Sequence, residues 1–334
     1  MELKVGVIGT GAIGKEHITR LTNKLSGAKV VAVTDVNEGS AKEAAALCGA
    51  RVEKSDKDVI NASDVDAVIV TSWGPAHAAS VLAAIEAGKP VFCEKPLATT
   101  AADCKKIVDA EIARGKKLVQ VGYMRRYDKG YLQLKEILDS GKVGAPLMIH
   151  CTHRNPSVDA SYITSMAVSD TAVHEIDVLH WLTGEQYKSA QVLFPKSTSL
   201  THSKLKDPQI MILTTESGIV INLEVFVNCQ FGYDIQCEVV CEKASIKMPD
   251  PLFPSIKMDA EYSTAIETSW KRRFIDAYDV ELQDWINAAK AGGAAGPTAW
   301  DGYLVGLGSD ALVKAQETGK VEPVNAGPCP SFYR

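Results

Sequence analysis

Short apolar runs alternate with helical patterns through the first third of the chain. Leu3–Ile8 is a β-branched run that ends in glycines, and residues 15–24 follow with helical spacing. Residues 30–34 form a second apolar run that closes at Asp35, and residues 41–47 an alanine-rich helical stretch. A third run at 67–71 leads into a helical pattern at 76–87. The segments 91–93, 101–113 and 118–121 continue the alternation. Strands that alternate with helices build right-handed βαβ units and hence a parallel sheet. The near-continuous apolar character of these strands fits a sheet covered on both faces. The expectation is a doubly wound α/β domain over residues 1–122.

After Gly122 the pattern changes. Helical spacing at 131–138 precedes a strand opening at 147–150, and a helix is expected over 169–182. Strand-like runs follow at 191–194, 209–215, 219–227, 234–240 and 245–248, with Glu216-Ser217-Gly218 as a hairpin turn. Successive strands joined by short turns form an antiparallel sheet. The proline-bearing stretch 248–263 reads as loop. Helices return at 274–289 and 299–315, separated by Gly292, Gly293 and Gly296-Pro297. The second domain, 123–334, is therefore expected to be α+β with a mostly antiparallel sheet.

The length of 334 residues suits two domains, and 46% hydrophobic with 23% charged residues is an ordinary globular composition. A net charge of −5 argues against a nucleic-acid or anionic-membrane partner, since either needs clustered Lys and Arg. Lys271-Arg272-Arg273 is too short a run to change that. No apolar stretch approaches the ~20 residues that span a bilayer. The first residues show no basic region or cleavage site, so a cytoplasmic location is expected. Eight cysteines are scattered without a CxxC pair, which reads as reduced thiols and no metal site.

Gly9-Thr10-Gly11-Ala12-Ile13-Gly14 is a GxGxxG pattern placed after an apolar strand and before a helical pattern, the context the motif requires. Gly9 permits a tight turn, Gly11 lets backbone approach a pyrophosphate, and Gly14 lets helix pack on strand. The helix start offers unpaired N–H groups and a positive dipole end to phosphates. Asp35 lies at the end of the second strand, where a carboxylate takes the adenine-ribose hydroxyls. A 2′-phosphate would meet like charge there, and Val36 and Asn37 offer no cation, so NAD is the expected cofactor. No GxxxxGK[ST] sequence is present, which argues against a kinase or ATPase.

Two further segments carry chemistry. Glu94-Lys95-Pro96 follows a parallel strand, at the carboxyl end where ligands bind in such sheets. A lysine there can hydrogen-bond a substrate oxygen and stabilise negative charge on it; taken alone it also fits an ordinary surface lysine. In Asp170-Thr171-Ala172-Val173-His174-Glu175-Ile176-Asp177, helical spacing puts Asp170 and His174 on one face, with Ala172, Val173, Ile176 and Leu179 packing inward. Removal of hydride from an alcohol needs a base for the hydroxyl proton, and a carboxylate-oriented histidine suits that. A solvated Asp–His pair is the plainer alternative. His180 points away from that face and reads as structural.

With these motifs, the runs GTGAIGKEH (9–17), VTSWGPAH (70–77), FCEKPLATT (92–100), VGYMRRYD (121–128), HRNP (153–156), HEIDVLHWL (174–182), YDIQCE (233–238) and GPTAWDGY (296–303) make the chain resemble the Gfo/Idh/MocA oxidoreductase family over nearly its whole length. The resemblance implies a Rossmann domain followed by a large open sheet that mediates a homotetramer. It implies Lys95, Asp170 and His174 as catalytic, with the histidine as base. It implies Met124, Arg125, His153, Asn155, Thr171 and Tyr233 as substrate-pocket residues. Thr71, Ser72, Trp73, Pro75, His77, Glu94 and Lys95 would join Gly9, Gly11, Ala12, Ile13, Gly14, Asp35 and Val36 around NAD. The implied activity is oxidation of one hydroxyl of a cyclic polyol, myo-inositol first. Alternatives are scyllo-inositol, D-chiro-inositol or glucose as substrate, or a non-catalytic NAD-binding sensor.

Overall fold

The first apolar runs become the middle of a parallel sheet. In this computed structural model, which describes residues 2–249 and 253–334, the chain divides into two units. The first unit opens with β1 (Leu3–Ile8), α1 (Ala12–Asn23), β2 (Ala28–Thr34), α2 (Glu38–Cys48), β3 (Arg51–Val52) and α3 (Asp56–Asn61). It continues with β4 (Ala67–Val70), α4 (Gly74–Glu86), β5 (Val91–Glu94), α5 (Ala101–Arg114) and β6 (Val119–Gly122). The strands run parallel in the order β3-β2-β1-β4-β5-β6. The order reverses at β1, which pairs β2 on one side and β4 on the other. That switch point is where open α/β sheets bind ligands. On α1, Gly14, His17, Ile18 and Leu21 are buried, the three-to-four spacing of a helix laid on a sheet.

The second unit runs over Arg125–Ala277 and Gly308–Ala326. It holds α6 (Lys129–Asp139), β7 (Pro146–Arg154), α7 (Val173–Thr183), β8 (Tyr187–Leu193), β9 (Gln209–Thr215), β10 (Val220–Phe226), β11 (Asp234–Cys241) and β12 (Ser245–Lys247). A small antiparallel pair, β13 (Ile256–Met258) and β14 (Glu261–Ser263), lies within the expected loop 248–263, of which residues 250–252 fall outside the described residues. With β15 (Glu322–Pro323), the large sheet has the order β12-β11-β7-β10-β9-β8-β15. Its pairs are antiparallel except β7 with β10, which is parallel. Turn spacing predicts neighbours in sequence, and here β7 pairs with a strand that follows three connections later. Alternation sorts the faces: Ile149, Cys151 and His153 of β7 are buried, as are Ile235, Cys237 and Val239 of β11.

The helix expected over 169–182 is two pieces. Residues Ala167–Ala172 form a π-helical turn, closed by the Val173 N–H donating to the Val168 carbonyl five residues back, and α7 starts only at Val173. Nor is α7 amphipathic. Every residue from Val173 to Leu179 is buried, including His174, Glu175 and Asp177.

Two later segments, Tyr278–Leu307 and Gly327–Arg334, belong to the first unit, which a single cut at 122 does not describe. They include most of α8 (Trp270–Lys290), whose backbone leaves helical geometry at Phe274, and the start of α9 (Ala299–Thr318). Leu282, Trp285 and Ile286 of α8 share one apolar core with Val5, Val7, Val30 and Phe92. The Trp285 indole, fully buried, meets the Phe92 ring edge-on at 6.0 Å between centroids.

Candidate active site

The glycine turn after β1 is shaped by three distinct constraints. Gly9 takes φ +92°, and a Cβ there would sit 2.3 Å from the Ser72 backbone nitrogen. A Cβ on Gly14 would lie 2.3 Å from the Gly9 carbonyl oxygen and 2.9 Å from Thr71 Oγ1. Around Gly11 nothing lies within 4 Å of where a Cβ would point. Gly11 is the N-cap of α1 and brings no side-chain cap, so the amides that open the helix, Ala12 and Ile13 first, have no capping side chain. An open backbone edge with N–H groups and a helix dipole behind it fits a pyrophosphate.

Asp35, just past β2, is fixed in place. Its Oδ2 accepts from the Thr10 N–H (2.6 Å) and hydroxyl (3.1 Å), and its Oδ1 accepts from the Asn37 N–H at 2.8 Å. A carboxylate offers about four lone-pair sites, so acceptor capacity remains for ribose hydroxyls. Thr10, which sequence reasoning did not single out, also accepts at its carbonyl from the Ser40 hydroxyl at 2.7 Å. Val36 and Trp73 are almost wholly exposed apolar side chains in this unit. Pro75 is exposed at the start of α4, and Ser72 is half-buried.

His77 and Glu94 are held by hydrogen bonds within the first unit. Both ring nitrogens of the buried His77 face carbonyls, Nδ1 to Pro96 at 2.7 Å and Nε2 to Ser72 at 2.8 Å, so the ring ties the 72–75 loop to the Lys95-Pro96 turn. Glu94 is buried and contacts His17 Nε2 at 2.7 Å. Burial pushes the Glu94 carboxyl up, yet the bond to His17 and the charges of His17 and Lys95 outweigh it and hold it below the usual range. Lys95 itself is half-buried at the end of β5. Met124 is buried at the unit's edge, where the 3-10 turn Met124–Tyr127 begins.

In the second unit, one buried ion pair holds His153. Arg125 and Glu175, each 1% exposed, pair through Nη1 and Oε1. Glu175 Oε2 lies 2.9 Å from His153 Nδ1, and Arg125 Nη2 lies 3.1 Å from the same nitrogen. The His153 ring stands 6.3 Å from the His174 ring and meets Tyr233 edge-on at 5.7 Å. Burial pushes the Tyr233 phenol up to about 12, so it serves as a neutral hydroxyl at working pH. Thr171 is buried in the π turn, its Oγ1 2.6 Å from the Tyr162 hydroxyl, which donates to the Met166 carbonyl. Asp170 is exposed in the same turn. Asn155 follows β7, with its backbone N–H donating to Phe226 and its carbonyl accepting from Cys229. His180 holds the Glu185 carbonyl at 2.6 Å, a structural role as expected.

Glu175 and Tyr162 were not foreseen, and Asp177, expected near the stripe of Asp170 and His174, is instead buried against Arg126. Asp177 takes a two-pronged bond from Arg126, at 2.9 and 2.5 Å. Adjacent arginines at 125 and 126 face carboxylates two apart at 175 and 177. Only that matched spacing could have hinted at the pairing.

The family profile described as an oxidoreductase family with an NAD-binding Rossmann fold matches residues 3–123. Its companion, the C-terminal alpha/beta domain of the same oxidoreductase family, matches residues 135–325. The chain belongs to the Gfo/Idh/MocA oxidoreductase family. Within it, the chain is 57% identical over 336 residues to a protein named inositol 2-dehydrogenase from Klebsiella pneumoniae, covering all of both chains. It is 55% identical, again at full coverage, to one of the same name from Burkholderia cenocepacia. Its fold matches the myo-inositol dehydrogenase of Lactobacillus casei in complex with NAD(H) and myo-inositol, at a TM-score of 0.98, 44% identity and full coverage of both. The Gfo/Idh/MocA architecture of a parallel Rossmann sheet and a second, mixed sheet is the one expected. Among the described residues, no helix is long and apolar enough to cross a membrane.

Proposed function

We propose that the chain is an NAD-dependent inositol 2-dehydrogenase that oxidises myo-inositol to the 2-keto product, scyllo-inosose. The observation that carries this reading is His153, held by the buried Arg125–Glu175 pair, with the His174 and Tyr233 rings beside it. Fixed polar groups of this density suit a ring bearing a hydroxyl on every carbon. Each buried polar group left unpaired by a wrong isomer costs about 1–3 kcal/mol. The full-length likeness to proteins named for this activity supports it.

NAD, when bound, supplies the hydride acceptor. His174 takes the hydroxyl proton while the carbon–hydrogen bond gives up its electron pair, leaving a ketone. Lys95 stabilises the developing alkoxide, and Asp170 orients the base. Gly11, Ala12, Ile13 and Gly14 hold the pyrophosphate and Asp35 the adenine ribose. Trp73, Pro75 and Val36 give the dinucleotide apolar surface, while Thr71, Ser72, His77 and Glu94 shape the turns beneath it. Met124, Asn155 and Thr171 complete the substrate contacts.

The test is the initial rate of NADH formation across inositol isomers and glucose. A clear preference for glucose, or tight NAD binding without turnover of any polyol, would overturn the assignment. We further propose a cytoplasmic homotetramer assembled through the outer face of the second sheet. That face mixes His150, Asn222, Glu224 and Glu238 with exposed Met148 and Val220. Light scattering reads the mass directly.

A further inference from the structure

His153 Nδ1 is faced by two groups of opposite character. The Glu175 carboxylate oxygen, at 2.9 Å, can only accept a hydrogen bond; the Arg125 guanidinium nitrogen, at 3.1 Å, can only donate one. A neutral imidazole carries one proton, and its position decides what the other nitrogen offers. Arg125 already delivers Nη1 to Oε1 of Glu175, which leaves Oε2 to the imidazole. The carboxylate is the nearer group and almost completely shielded from water. Burial raises the Glu175 carboxyl, but the charge of Arg125 and the hydrogen bonds from His153 and Arg125 outweigh that and hold it below its usual range, ionised at neutral pH.

We propose that Glu175 is a positioning residue that fixes the proton of His153 on Nδ1, so that Nε2 presents a lone pair to one particular hydroxyl of the substrate ring. The inference rests on the reading of His153 as a substrate-pocket residue. Glu175 never touches the substrate. It acts through the tautomer of His153 and, by the same carboxylate, through the placement of Arg125. The buried triad thereby turns a ring that could donate or accept into a fixed acceptor. A fixed acceptor distinguishes a ring position carrying a donating hydroxyl from one that lacks it.

Glu175→Gln tests this with little change of shape. Its amide can donate to Nδ1 and so releases the tautomer. The expected outcome is a KM for myo-inositol raised at least about tenfold, with kcat within about threefold and NAD affinity unchanged. A purely structural role predicts the same loss for every substrate. The proposal instead predicts that, among monodeoxy-inositols, one analogue loses nothing further in the variant, because the hydroxyl that His153 would accept from is already gone. Equal losses across all analogues, or an unchanged KM, overturn it. A second measurement needs no Glu175 variant and no turnover. Ring-nitrogen NMR of wild-type protein labelled with 15N-histidine, seven residues in all, reads each tautomer, with His153→Gln giving the assignment. A proton on Nε2 overturns the proposal. Absence of turnover with any inositol in the wild type would overturn the parent reading instead, and leaves the NMR outcome to decide this one.

Discussion

Two neighbouring glycines in the turn after β1 should respond in opposite ways to the same added methyl. At Gly14 a Cβ would arrive 2.3 Å from the Gly9 carbonyl oxygen, so backbone on one side must retreat by about 1 Å to reach a tolerable contact. Overpacking of that kind costs about 1–3 kcal/mol, which lowers the melting point of a domain this size by roughly 2–12 °C. At Gly11 the backbone sits at φ −66° and ψ −163°, a conformation alanine adopts freely, and nothing lies within 4 Å of the new methyl. Gly11→Ala should therefore fold as well as wild type or gain up to about 1 kcal/mol from the stiffer unfolded chain. Its methyl occupies the approach path of the pyrophosphate, so the Kd for NAD should rise at least about tenfold, or 1.4 kcal/mol. Differential scanning fluorimetry without ligand and calorimetric titration with NAD separate the two quantities. Gly14→Ala should lose stability and affinity together, Gly11→Ala affinity alone. A Gly11→Ala protein that binds NAD within about twofold of wild type would refute the reasoning, because the open side of the turn would not face the dinucleotide.

Three further outcomes are expected. His174→Ala should cut kcat by roughly 10²–10⁴, the range for one positioned base, and leave NAD affinity intact; a variant keeping more than about a tenth of kcat removes the residue from the mechanism. Asp35→Ser should narrow the preference for NAD over NADP, since the carboxylate that repels a 2′-phosphate is gone, and equal use of both cofactors by the wild type would refute its role. The Glu94 and Glu175 carboxyls are both held below their ordinary range when folded. Their contribution to stability is thus complete above the unfolded value of about 4.3 and is lost as pH falls through the lower folded value. Urea midpoints should drop on acidification below that point, less steeply in Glu94→Gln or Glu175→Gln. Identical slopes in variant and wild type count against the pairing.

In the parallel sheet, the two-residue β3 (Arg51–Val52) has no apolar run and was not foreseen; the other five of its six strands were legible because each announces itself locally by such a run. So were the hairpin at Glu216–Gly218 and most strand limits of the second sheet. What escaped depends on partners distant in sequence. Helical spacing around His174 suggested a helix with a polar face, whereas Glu175 and Asp177 are buried because Arg125 and Arg126, fifty residues earlier, neutralise them. The parallel pairing of β7 with β10 leaves no mark in either strand. The π turn at Ala167–Ala172 is closed by one extra residue that propensity does not register, though Tyr162 helps hold it. Of the site residues drawn from family resemblance, Arg125 and His153 meet at Glu175, with the Tyr233 and His174 rings beside His153. The sequence did not show that His77 ties the 72–75 loop to Pro96 or that Glu94 pairs with His17, because the partners lie far along the chain or across a turn.

The return of Leu282, Trp285 and Ile286 to the core beneath the first sheet bears on how the protein is made. When β6 leaves the ribosome, its sheet still lacks the side chains that cover Val5, Val7 and Phe92. About 160 residues must follow, which at roughly 5–20 residues per second takes on the order of 10–30 s. The nascent dinucleotide half passes that interval with part of its apolar core uncovered. For the same reason a gene fragment ending at residue 124 is not a portable NAD-binding cassette. Recombination that exchanges substrate domains within this family has to carry the helix at 278–290 along with the glycine turn.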